Sequence, residues 1–126
     1  MRDLTLVWPG GEHQFCLRLG ELEAIQDKCD AGPEFILNRI RLGNWKTGDL
    51  FEIIRFGLIG GGMKPGEALR TTRNAFERNG VAEFKLTALT VLFHALYGAE
   101  DDPPGESDPV SQTTPDQQKT ESGNLA

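Results

Sequence analysis

The chain has 126 residues, enough for one domain, and its 38% apolar and 25% charged side chains are those of an ordinary soluble protein. No apolar run approaches the ~20 residues needed to cross a bilayer, and Met1–Leu4 is not followed by the apolar core of a secretory signal, so membrane and secreted classes are set aside and a cytoplasmic location is expected. Residues 100–126 carry seven acidic side chains against the single Lys119, so the whole net charge of −6 falls there and residues 1–99 sum to zero. A neutral body gives little pull toward nucleic acid, and an acidic tail opposes it.

Leu4–Trp8 and His13–Arg18 both alternate apolar with polar residues around Pro9-Gly10-Gly11-Glu12, which predicts a β-hairpin. With Gly10 and Gly11 at the turn centre, Trp8 faces His13, Leu6 faces Phe15 and Leu4 faces Leu17, all on one side. A lone hairpin is marginal in water, so that face must pack on helices or on another chain. A first helix is expected from Gly20, with Glu23 as its capping acid and Leu22, Ile25 and Cys29 on one face, ending near Asp30-Ala31-Gly32-Pro33. A second follows over Glu34 to Leu42 with Phe35, Ile36 and Ile40 inward, then a loop holding Trp45.

A third helix starts at Thr47 or Asp49, with Asp49 and Glu52 placed for a capping box, and carries Leu50, Phe51, Ile54 and Leu58 at helical spacing. Ile53 and Phe56 widen the stripe, so this helix is central or keeps a face for a partner. Gly60-Gly61-Gly62 ends it as a helix stop and flexible hinge. A fourth helix begins at Pro65, buries Ala68, Leu69, Thr72, Ala75 and Phe76, and is closed by Asn79-Gly80 in a left-handed stop. A fifth runs from Val81 to Tyr97, the most apolar segment, with Phe84, Ala88, Leu92 and Ala95 on one side, and stops at Gly98. From residue 99 the chain turns acidic and rich in proline, the composition of a disordered tail. The fold class expected is therefore α+β, a hairpin on four or five short helices, with a domain over 1–98 and a tail over 99–126.

Chemistry-bearing patterns are few. Gly57-Leu58-Ile59-Gly60-Gly61-Gly62-Met63-Lys64 invites a phosphate-loop reading but lacks the Gly-Lys-Ser/Thr sequence, and Pro65 removes both a hydroxyl and an N–H. His13 and His94 stand apart from any nucleophile, and Cys16 and Cys29 form no Cys-x-x-Cys pair, so no catalytic residue, cofactor or metal site is assigned. Both thiols are expected to stay reduced. Arg70, Arg73 and Arg78 on the fourth helix allow a helix-turn-helix DNA-binding reading, opposed by the neutral body and by Glu67 and Glu77 beside them.

The ordered segments resemble a known family. A hairpin leads into Leu17-Arg18-Leu19-Gly20-Glu21-Leu22-Glu23-Ala24-Ile25. An apolar helix then runs from Gly48-Asp49-Leu50 to Gly57-Leu58-Ile59-Gly60-Gly61-Gly62, and a last helical pair ends in Tyr97-Gly98. Over residues 4–98 this resembles the tail assembly chaperones of gene transfer agents and tailed phages, a group also described as tail tube proteins. The resemblance implies a non-enzymatic role in tail building, with the tape-measure protein and tail tube subunits as partners and self-association left open. The alternatives are a structural tail tube component kept in the particle, and the DNA-binding regulator. Trp45, Leu50, Phe51, Ile54, Phe56, Leu58, Ile59 and Met63 are the expected core or partner-binding residues, undivided at this level.

Overall fold

The computed structural model describes residues 3–98; the acidic segment 99–126, expected to be disordered, lies outside the described residues. Strands β1 (Leu4–Trp8) and β2 (Gly11–Phe15) form an antiparallel hairpin, followed by α1 (Leu19–Cys29), α2 (Pro33–Arg41), α3 (Thr47–Gly60), α4 (Pro65–Arg78), a 3₁₀ turn (Val81–Phe84) and α5 (Lys85–Tyr97). The α+β class is as expected.

The hairpin register differs by two residues from the expected one. Trp8 pairs with Gly11, Leu6 with His13 and Leu4 with Phe15, so the turn centre is Pro9-Gly10. Proline presets the φ of the first turn position, and the positive φ falls on Gly11 at 124°. Because a slip of two keeps the pleat in phase, Leu4, Leu6, Trp8, His13 and Phe15 still share one face. The Trp8 indole folds back over Gly10, where a Cβ would stand 2.4 Å from the ring, and its N–H donates to Nδ1 of His13 at 2.9 Å.

Several helix ends depart from expectation for local reasons. In α1 the capping acid is Glu21, not Glu23: its Oε1 accepts the N–H of Arg18 at 2.8 Å, because the N-cap is Arg18, two residues before Gly20. In α3 Asp49, three residues beyond Lys46, accepts that residue's N–H at 2.8 Å, so Glu52 is not needed as a cap. Asn79 is extended (φ −136°) and Gly80 has φ −64°, so α4 has no left-handed stop. The Asn79 side chain instead donates to the carbonyl of Ala75 at 2.9 Å. The expected fifth helix is split, its first turn being the 3₁₀ segment that buries Phe84.

Helix α3 is the centre of the molecule and packs against α1, α4, α5 and β2. Leu50, Ile53, Ile54 and Leu58 are fully buried on it. From α2 the core takes Ile36, Leu37 and Ile40, while Phe35 points outward, since the inward face of a nine-residue helix had to include Leu37. Leu69 on α4 is likewise partly in water. An aromatic chain ties hairpin to helices: Trp8 meets Phe15 and Phe84 edge-on, Phe84 stacks on Phe76 at 3.9 Å, and Phe76 meets Phe51.

Candidate interaction surface

The glycines at the C-terminal end of α3 are packed, not open. A Cβ at Gly60 would lie 1.8 Å from the carbonyl oxygen of Cys16, one at Gly61 2.1 Å from that of Gln14, and one at Gly57 2.9 Å from the Phe15 ring. Residues 57, 60 and 61 lie at i, i+3 and i+4, so together they form a side-chain-free groove along one face of the helix. The end of β2 lies in it. The N–H of Cys16 donates to the carbonyl of Gly57 at 3.0 Å, and Arg18 donates to that of Gly60 at 2.6 Å. Gly62, with φ 115°, ends the helix: Met63 N–H reaches the Leu58 carbonyl and Gly62 N–H the Ile59 carbonyl, both at 3.0 Å, a Schellman motif. The run expected to be a hinge is thus the seat that fixes the hairpin.

A second internal device escaped the sequence reading. Asp49 is 1% exposed and receives Arg39 through two hydrogen bonds of 2.9 and 2.8 Å, and Arg39 also donates to the carbonyl of Cys29 at 3.2 Å. The fork joins α1, α2 and α3. Burial, then the charge of Asp49 and a hydrogen bond to it, pushes the Cys29 thiol up to about 12, so this cysteine is a neutral packing group. Burial also raises Cys16, and both cysteines are free. Among the described residues no group of three His, Cys, Asp or Glu could hold a metal, and no helix is long and apolar enough to cross a membrane.

Among the described residues, exposed apolar side chains stand singly at Val7 on β1 and Leu19 on α1 and gather on the outer faces of α2 and α5. Phe35 is 63% exposed and Leu42 75%, and with Asn38, Arg39 and Asn44 they line a shallow cleft of about 170 Å³. Leu86, Phe93 and Tyr97 repeat at seven and four residues along α5, an exposed apolar stripe. Phe93 and Tyr97 are in ring contact at 4.8 Å, and the Tyr97 hydroxyl donates to Glu34, which joins the end of this stripe to the start of α2. That bond holds the Tyr97 hydroxyl above its ordinary pKa.

The structure divides the sequence-derived candidates. Leu50, Ile54 and Leu58 have no surface to offer and are core. Trp45, Phe56, Ile59 and Met63 are half-buried against that core, and Phe51 is half-buried beside Phe76. Phe51 is further covered by the Arg73 guanidinium 5.9 Å from its ring, and Phe56 by Arg55 at 4.3 Å. Phe35, Leu42, Phe93 and Tyr97 were missed as surface residues, because apolar periodicity cannot distinguish a wide buried stripe from a narrow one with greasy flanks. On α4, Glu67 and Glu77 form no ion pair with Arg70, Arg73 or Arg78.

Comparison with curated proteins and with solved structures finds no match. Comparison with protein families finds one, described as phage tail tube protein, GTA-gp10, whose family model matches residues 2–98 and so spans every element above. The hairpin, its glycine seat on α3 and the closing helical pair are all inside the match, and the chain belongs to this phage and gene-transfer-agent tail family.

Proposed function

We propose that this protein serves the tail of a gene-transfer-agent or phage-like particle by contact with other tail proteins and not by catalysis, and that it is a component of the tail tube. The observation that supports this reading is the family match over residues 2–98, which covers the whole described domain. A tube component works by repeated burial of surface against its neighbours, and obligate interfaces are apolar at their centres. The exposed side chains of α2, its C-cap and α5, Phe35, Leu42, Leu86, Phe93 and Tyr97, offer surface for it, with Trp45, Phe56, Ile59 and Met63 as half-buried additions. Its partners are other tail subunits.

A second reading, an assembly chaperone that shelters the tape-measure protein and leaves before the particle is complete, is favoured by one observation. The cleft between Phe35 and Leu42 is shallow and open, the form that takes an amphipathic helix loosely and releases it. Purified particles separate the two. A tube component is present in them in many copies; a chaperone is absent from them and is recovered from cell extract with the tape-measure protein. Loss of both, with a gel shift on duplex DNA at low salt, favours the regulator instead.

A further inference from the structure

We infer that β1 pairs edge to edge with β1 of a second copy of this chain, antiparallel about Leu6. The two edges of the hairpin differ. The end of β2 is seated on α3 through the Cys16 N–H and the glycine groove. Apart from its ladder with β2, the backbone of Leu4–Trp8 makes no hydrogen bond to any described residue. The two-residue turn closes on Trp8 and Gly11, and antiparallel ladders alternate, so Thr5 and Val7 are the residues whose N–H and C=O groups point away from β2.

Natural sheets protect an open edge with charge, proline, a bulge or a covering element. Strand β1 has none of the first three: Leu4-Thr5-Leu6-Val7-Trp8 carries no charge and no proline, and its register runs without a slip from Leu4 to Trp8. Helix α5 packs against β1, whose Trp8 is buried, while on the opposite face Val7 is 81% exposed. Among the described residues nothing pairs with this edge, and an edge of this kind is a pairing surface.

The occupant follows from self-complementarity. About a twofold axis at Leu6, Thr5 of one copy lies opposite Val7 of the other, two β-branched pairs on the outer face, and Leu4 lies opposite Trp8 on the inner face. Asp3 then faces Pro9, whereas a parallel pairing would set the two Asp3 carboxylates side by side. The neutral strand thus accepts its own copy without a charge conflict. The inference stands on the strand and not on the tail reading, so a monomer that still enters particles overturns this pairing alone.

The test is the solution mass of the full chain and of two variants by sedimentation equilibrium at micromolar concentration, with far-ultraviolet circular dichroism to confirm helix content. Thr5→Pro removes an outward N–H, and Val7→Lys places a charge on the outer face without touching the core. The wild-type chain should show twice the 13.9 kDa monomer mass, and both variants should fall to the monomer mass with unchanged helicity. If Thr5→Pro loses its fold, Val7→Lys decides. A monomeric wild-type chain overturns the inference, and so does a dimer that persists in a folded Val7→Lys protein.

Discussion

Two regions of this small domain handle contact in opposite ways. At the C-terminal end of α3 one face lacks side chains: Gly60 and Gly61 let the backbone of Gln14–Cys16 come so close that a single Cβ would collide with it, and Gly57 makes room for the Phe15 ring. On the outer faces of α2 and α5, side chains are in excess: Phe35, Leu42, Phe93 and Tyr97 stand in water with little to cover them. The first region is closed and has one permitted geometry. The second is open, and the described residues impose none on it. The contrast separates residues that build the fold from residues left to meet something else, a separation that composition alone does not show.

If the contrast is right, substitution should be severe at the closed end and silent for stability at the open face. The largest effect is expected from Gly60→Ala, since the new methyl would meet backbone and not a movable side chain; the loss should exceed about 4 kcal/mol, enough to abolish the cooperative thermal transition. Gly48→Ala in the first turn of the same helix meets nothing within 4 Å and should instead stabilise by about 0.5 kcal/mol. Equal effects at the two glycines, read from melting curves, would show that helix propensity and not close approach governs the run.

Next in size is Arg39→Ala. It leaves the buried Asp49 carboxylate with the Lys46 N–H but without its guanidinium, at a cost of about 3 kcal/mol in urea unfolding. The pH profile gives an effect with a defined sign. The Cys29 thiol is raised to about 12 in the fold, above its ordinary value of 9.0, so between these values the folded state holds a proton that the unfolded state has released. Stability should be level with respect to this group below pH 9 and should fall as pH rises from 9 toward 12. Cys29→Ala should remove that part of the slope. The smallest effect belongs to the open face: Phe35→Ser and Leu42→Ser should each change stability by less than about 0.5 kcal/mol while weakening recovery of other tail proteins in co-expression pull-downs. Unchanged recovery with both substitutions would place the partner surface elsewhere.

Much of this architecture is legible in the sequence where one local rule acts without competition. Strand alternation marks both faces of the hairpin correctly, and helical spacing places Ile25, Ile36, Ile40, Leu50, Ile54 and Leu58 inside. Sequence reading fails where two rules compete or where a partner is distant. Pro9 and Gly11 both bid for the turn, and the proline's fixed φ moves the centre by one residue and the register by two. Asp49 looks like the N-cap of α3, but it is the third residue of the helix and reaches back to Lys46, and its second role needs Arg39 from another helix. The glycine run signals a helix end in any chain, and only the position of Gln14–Cys16 shows that two of its glycines, Gly60 and Gly61, are there for space. The candidate surface was less legible than the fold, because Phe35 and Leu37 are neighbours of similar hydrophobicity and only the packing of α2 decides which one is spent on the core.

Quantitative mass spectrometry of purified particles from cells producing this chain tests the central proposal most directly. A tail tube component predicts peptides from residues 3–98 in the particles at a level comparable with other tail subunits. Particles that form normally and contain none of them would contradict it.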